Sequence, residues 1–316
     1  MMQRCQGILI AFITLSVTVC GVPASGQQRA SRLAGQHSQS RAKSVKQGEI
    51  DALSKAIEKQ PERVQLWTRK LDLLASRKDT YDAALDFGKE AIKRFPKNAG
   101  LRIQLGSLYC LMEEDRLAFE QLDRAVKLAP NSLDAHLHRA DCLHNLGRDE
   151  EALKDLDLVI ARTPDRHLAY YIKSRVLMHQ KKYRESAAIL DRAIELSPNS
   201  INYRFKRAAI NSILKDWRKA IVDYDFMIKH NPRDYKSFES RGKAHENLGE
   251  LKAAVDDYTA GIAVAPNHRP FYEGRARAYE KLGEKARASK DRAMIADLDK
   301  DLVPFSFIPD WTGKHK

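Results

Sequence analysis

Residues 235–268 read YKSFESRGKAHENLGELKAAVDDYTAGIAVAPNH, and the parsing of this stretch decides the fold. Phe238, Gly242 and His245 fall at helical spacing in its first half. After the turn residue Gly249, the residues Ala254, Tyr258 and Ile262 lie four apart and make one stripe. Pro266 has no amide hydrogen and disfavours helix at the residue before it, so a helix must stop there. The stretch therefore predicts a helix from about Tyr235 to Leu248, a tight turn, and a second helix from about Leu251 to Val264.

Outward from here the pattern repeats. Pro96, Pro130, Pro164, Pro198, Pro232 and Pro266 follow one another at steps of 34 residues, in a chain with only 11 prolines. That regularity is not chance. Ala84, Ala118, Ala152, Ser186, Ala220, Ala254 and Ala288 keep the same step of 34. A side chain this small lets two helix axes approach closely. Leu122, Leu156, Leu190, Tyr224 and Tyr258 sit four residues later and are placed to fill the space between neighbouring hairpins. One such hairpin cannot cover its own apolar face, so stability is a sum over stacked neighbours. Seven units start at about 65, 99, 133, 167, 201, 235 and 269.

Leu105-Gly106, Tyr109, Ala118, Leu122, Ala125 and Pro130 carry a resemblance to the tetratricopeptide repeat family over roughly 48–302. The resemblance implies an all-α fold, a right-handed α-solenoid of stacked helix-turn-helix hairpins whose inner surface commonly binds peptides or partner proteins. Carried over position by position, the partner-groove residues are Arg69, Gln104, His138, Asp141, Arg175, Lys206, Lys243 and Arg277. The family's best-known peptide mode clamps a C-terminal carboxylate. It needs lysine and asparagine on one first helix, asparagine on the next, and lysine and arginine on the third. Arg69 and Leu73, then Gln104, then Asp134 and His138 come nearest, and Leu73 and Asp134 break the pattern.

Residues 1–26 read as an export signal. Arg4 gives a positive start, Gly7–Val22 runs for 16 residues without charge, and small residues follow at Val22-Pro23-Ala24 and Ala24-Ser25-Gly26. The apolar run is shorter than the about 20 residues a spanning helix needs. Cleavage would leave a periplasmic or extracellular protein; retention, or a lipid on Cys20, would leave a membrane-anchored one. Val19 stands where a lipid-attachment signal wants a small residue.

Residues 27–47 carry Arg29, Arg32, Arg41, Lys43 and Lys46 with no acidic residue and little apolar surface, the composition of a disordered linker. They read either as a solubilising spacer or as a basic tether to an anionic membrane or cell-envelope polymer. Residues 49–60, ending before Pro61, read as a lone capping helix, with Pro61 to Pro96 one residue longer than the period. The solenoid, cap plus seven repeats, spans 48–302. In 303–316, VPFSFIPDWTGKHK, two prolines forbid a regular helix, yet Phe305, Phe307, Ile308 and Trp311 are apolar. This end reads as a cap on the last repeat, or as a tail that fills the groove or meets a partner.

The net charge is +13, and five of those positive charges lie in the linker. The inner-helix positions mix signs, with Arg69, Lys70, Arg175, Lys206, Lys243 and Arg277 against Asp134, Asp141, Glu239, Glu246, Glu273 and Glu280. A nucleic-acid solenoid calls for a basic stripe, so DNA and RNA are set aside as ligands. Another charge pattern is structural. Arg139, Arg207, Arg241 and Arg275 each have an aspartate 16 residues on, Asp155, Asp223, Asp257 and Asp291. Where the arginine is Leu71, Leu105 or Lys173, the partner is Phe87, Gln121 or Ile189. Four internal ion pairs joining the helices of a hairpin are expected.

Cys110 and Cys142 remain after the leader and read either as a pair or as two free thiols. His138 and Cys142 share a helix face, with Asp141 and His144 nearby, but the spacing supplies no third and fourth metal donor. His136, His138 and His144 read as packed or solvated repeat-surface residues, and no metal or other cofactor is expected. The sequence has no strand–glycine-loop–helix, no Gly-x-Ser-x-Gly, no His-Glu-x-x-His and no Cys-x-x-Cys. No enzyme is indicated. The chain reads as an exported, non-catalytic scaffold holding a peptide or protein in its groove; the alternatives are an anionic-polymer or membrane-surface binder and a self-assembling structural protein.

Overall fold

The structure, a computed structural model, describes residues 47–301, among which there are fifteen α-helices, one 3-10 turn and no strand. The signal 1–26, the linker up to residue 46 and the 303–316 end lie outside the described residues. The chain groups into two compact units, Met1–Phe87 and Gly88–Lys316, which divide within the helix Tyr81–Arg94.

The first unit contains α1 (47–59), α2 (Val64–Ala75), a 3-10 turn (Lys78–Thr80) and the start of α3 (Tyr81–Arg94). Ile50 and Ile57 of α1 are buried, as are Leu71, Leu73 and Leu74 of α2. Trp67 stacks on Phe87 with ring centroids 5.0 Å apart, and Lys70 Nζ lies 4.4 Å from the same ring. The residue by which Pro61–Pro96 exceeds the period is taken up between α2 and α3, where the 3-10 turn lies. There Arg77 forks onto Asp79, and Thr80 Oγ1 donates to the Leu74 carbonyl at 2.5 Å.

The second unit stacks six hairpins. They are α4 (Ala99–Leu111) with α5 (Asp115–Leu128), α6 (Leu133–Asn145) with α7 (Asp149–Arg162), and α8 (His167–His179) with α9 (Tyr183–Leu196). Then come α10 (Ile201–Ile213) with α11 (Trp217–His230), α12 (Tyr235–Leu248) with α13 (Leu251–Val264), and α14 (Arg269–Lys281) with α15 (Lys285–Asp301). Asn98, Ser132 and Ser200 start their helices by accepting from the amides of Leu101, Ala135 and Tyr203, which satisfies donors the helix itself leaves unpaired. The turns keep the period too. Glu113, Gly147, Lys181, Lys215, Gly249 and Gly283, 34 apart, all have φ between 60° and 80°. Glycine takes that conformation freely, whereas the other three residues bear a Cβ clash of about 1 kcal/mol.

The small-residue series is buried throughout the second unit, and Ser186 hides its hydroxyl by donating to the Ser174 carbonyl at 2.7 Å. Tyr258 is fully buried between two glycines. A Cβ on Gly242 would come within 2.8 Å of its ring, and one on Gly274 within 2.4 Å. The ring thus occupies the volume that side chains on both flanking first helices would need.

A hydrogen bond recurs with changing chemistry. The carbonyl of every ladder proline but Pro232 accepts from the side chain six residues on: Arg102 Nη2 to Pro96 at 2.9 Å, His136 Nε2 to Pro130 at 2.9 Å, and Tyr170 OH to Pro164 at 2.9 Å. Arg204 and Tyr272 do the same at 3.1 and 2.8 Å, and in the first unit Trp67 Nε1 reaches Pro61 at 3.0 Å. Any donor of the right reach will serve. Phe238 holds the equivalent place after Pro232 and has none to offer. Phe238→Tyr is therefore expected to raise stability by about 1 kcal/mol, the net worth of one hydrogen bond, measured as a shift of the urea midpoint at constant slope.

The arginine–aspartate pattern forms a ladder that reaches further than one hairpin. Arg139 makes two bonds of 2.8 Å to Asp155 in its own hairpin, and its Nη1 donates at 3.0 Å to Asp123 on the preceding second helix. Arg207 binds Asp223 at 2.9 and 2.6 Å and Asp191 at 2.7 Å. Arg241 joins Asp257 to Asp225, and Arg275 joins Asp291 to the hydroxyl of Thr259. Lys173, with Ile189 in place of its own aspartate, keeps the backward bond to Asp157 at 2.7 Å. Each ladder arginine therefore ties three helices together.

Candidate functional site

Within the second unit, first helices touch first helices (α4 with α6, α6 with α8, α12 with α14), and among the described residues no two second helices make comparable contact. The first helices therefore lie side by side, and the expected groove residues from Gln104 to Arg277 all lie on them. Arg69 belongs to the first unit, where its guanidinium binds Glu49 of α1 at 2.9 Å.

Several of these groove residues engage one another or their neighbours. Asp141 and Arg175 form an ion pair between α6 and α8, and Arg175 Nη2 also donates to Asn145 at 3.0 Å. His138 is half-buried and lies 3.3 Å from Ser107 Oγ; burial pushes its pKa below the usual imidazole value, against the pull of Asp134 and Asp141. Gln104 is half-buried on α4. Lys206 makes no ion pair or hydrogen bond among the described residues.

Lys243 and Arg277 are the two that come together around a cavity. It has a volume of about 420 Å³ and takes residues from three successive repeats. Ser212 enters from α10, Trp217 and Tyr224 from α11, Ser240, Lys243, Glu246 and Asn247 from α12, and Arg277 and Lys281 from α14. Glu246 is its electrostatic centre. Its carboxylate accepts from Lys281 Nζ at 3.0 Å, from two Arg277 nitrogens at 3.3 Å and from Tyr258 OH at 3.2 Å. Burial raises the Glu246 carboxyl, but Arg277 and Lys281 outweigh it and hold it below the usual range. Burial, with Glu246 beside it, pushes the Tyr258 hydroxyl well up, so it stays a donor. Lys243 leans on Glu239, which also accepts from His268 Nε2 at 2.8 Å.

The sequence gives no reason to single out Glu246 from the other inner-face charges, or to place Trp217 and Lys281 beside it. Lys281 lies 35 residues from Glu246, one more than the period, and Trp217 opens a second helix rather than a first. A larger cavity of about 520 Å³ is lined by Asp191 and Arg207 of the ladder, and those two charges already bind each other.

His138 and Cys142 do not act as a pair. Cys142 is buried and its thiol donates to the Asp115 carbonyl at 3.0 Å, while His138 turns to Ser107. Cys110 and Cys142 are both free, and hydrogen bonding to Cys142 together with burial pushes the Cys110 thiol up. His136 is a core residue, not a surface one: Nδ1 lies 2.7 Å from Asp155, beside Arg139.

Comparison with known proteins finds tetratricopeptide repeat models matching residues 50–99, 116–176, 167–200 and 235–268, together more than half of the chain. The hairpins α10–α11 and α14–α15 fall wholly outside these spans and fold the same way. No curated protein matches the chain. Among solved structures, one of MamA is 16% identical, with a TM-score of 0.50 over 54% of this chain and 92% of that one. A double mutant, MamA RS-1 ArsTM, is 14% identical, with a TM-score of 0.50 over 55% and 98%. YrrB, described as a TPR protein with an unusual peptide-binding site, is 17% identical, with a TM-score of 0.50 over 60% and 97%. At these identities the likeness is one of fold.

Proposed function

Since the chain belongs to the tetratricopeptide repeat family, we propose that it is a non-catalytic scaffold that holds a protein partner by an acidic, extended segment on its inner face. The observation that carries this reading is the make-up of the cavity between α10, α12 and α14: three cations, one carboxylate and two aromatic rings. Lys243, Arg277 and Lys281 give it a surplus of positive charge, and Arg277 and Lys281 are already oriented by Glu246. A carboxylate arriving from a partner finds charge-assisted donors in place, while Trp217 and Tyr224 offer flat apolar area. The short reach of such a cavity fits a few residues of a segment, with the rest of the partner held by neighbouring first helices. Export belongs to the reading and rests on residues 1–26 alone.

The test is an array of dodecapeptides of graded charge, probed with the full chain. Acidic peptides are expected to bind, with a loss of at least about tenfold in Lys243→Glu/Arg277→Glu, where the two side chains are half exposed and helicity should be unchanged. Equal capture of basic peptides, or undiminished binding by the double variant, would sink the reading. Binding that survives the double variant but is lost on deleting 27–47 would favour the anionic-polymer alternative.

A further inference from the structure

Away from that cavity, three side chains capable of ligating a metal converge where α6 ends, α7 begins and α8 ends. His144 Nδ1 lies 2.9 Å from Asp149 Oδ1, and His179 Nδ1 lies 2.6 Å from Asp149 Oδ2. The ligating atoms of all three lie within 4.8 Å of one another. The two imidazoles meet edge to face with centroids 5.7 Å apart. We propose that His144, Asp149 and His179 bind a divalent transition-metal ion of the zinc class, which staples two successive repeats together.

Two imidazoles and one carboxylate are a donor set that suits zinc, with bonds of about 2.1 Å and a fourth position left to water. Opening the present hydrogen-bond separations to the about 3.4 Å between ligands that such bonds require needs only side-chain movement, because His179 is 63% exposed at its side chain and sits in the last turn of its helix. Asp149, by contrast, is buried to 9% exposure and fixed at the first turn of α7. The same three positions one period earlier are Cys110, Asp115 and Asn145, where Asn145 Nδ2 donates to Asp115 at 3.1 Å. A single amide is enough to tie those two repeats, so two imidazoles on one carboxylate are more than the hydrogen bond requires. Cys110 and Cys142 make the poorer alternative site, because the buried Cys142 thiol is already spent on the Asp115 carbonyl.

The experiment uses the full chain stripped with a chelator and titrated with Zn²⁺ by calorimetry, with thermal unfolding read at each step. One equivalent is expected to bind and raise the Tm, as any ligand of the folded state alone does. His179→Ala is expected to weaken the binding at least tenfold and abolish the Zn²⁺-dependent rise in Tm, leaving the metal-free Tm nearly unchanged. Cys110→Ala/Cys142→Ala is expected to keep both. No binding by the wild type, binding indifferent to His179→Ala, or binding lost only in the double cysteine variant would each overturn the proposal. In those cases the cluster is a hydrogen-bonded His–Asp–His strut and nothing more.

Discussion

Tyr258→Ala is expected to lower the stability of the second unit by about 4 kcal/mol, the range for deleting a fully buried aromatic ring. The ring fills the space between Gly242 and Gly274, and its hydroxyl is hydrogen-bonded to Glu246, so both packing and a polar bond go. The reciprocal substitution is as harmful for the opposite reason. Gly274→Val would put a Cβ within 2.4 Å of the Tyr258 ring, and should cost about 3 kcal/mol by overpacking. Combined, the two should not add. In the Tyr258→Ala background, Gly274→Val enters an empty space and is expected to recover part of the loss. A double-mutant cycle read by hydrogen exchange of α12–α14 measures that coupling without assuming that a repeat array unfolds in one step. Simple additivity would show that the ring and the two glycines do not share one volume.

Asp223→Ala is expected to cost about 3 kcal/mol, because it removes the buried carboxylate that two guanidiniums share. Asp223 has no exposed side-chain surface, and it receives Arg207 at 2.6 and 2.9 Å and Arg204 at 3.3 Å. Removing the cation as well should reverse much of the damage. Arg207→Leu/Asp223→Leu is expected to lie within about 1 kcal/mol of the wild type, since a buried ion pair seldom outperforms apolar packing of similar volume. The chain already contains that solution, with Leu71 and Phe87 at the equivalent positions in the first unit. Urea denaturation of the single and double variants checks this; a double variant as weak as Asp223→Ala would mean the ladder stabilises by more than mutual neutralisation.

The hairpins were legible from 235–268 because a helix pair announces itself through stripes, a turn residue and a stopping proline, all local in sequence. The expected bounds Tyr235–Leu248 and Leu251–Val264 are those of α12 and α13. Burial of Ala118, Leu122 and their equivalents followed from the same period. Contacts between repeats were harder. A difference of 34 within one chain hides which of two neighbours a side chain faces, so Asp191 and Asp225 escaped notice as second partners of the ladder. His144, Asp149 and His179 were missed likewise: the third donor arrives from the next repeat, 35 residues beyond the first, where no spacing rule for a single helix looks. Glu246 was lost among other inner-face charges because its importance lies in its burial and its three donors, which composition does not encode.

The backward grip of the ladder arginines also governs how this molecule could change length. Asp157 stands one period before Asp191, so excising 167–200 would bring Arg207 against Asp157 at the spacing of 16 it now keeps with Asp191. A cut that is not a whole number of 34-residue periods would take the guanidinium out of register with its backward partner. Growth and shrinkage are thus admissible only in whole modules, and the charges act as a ratchet that enforces the count.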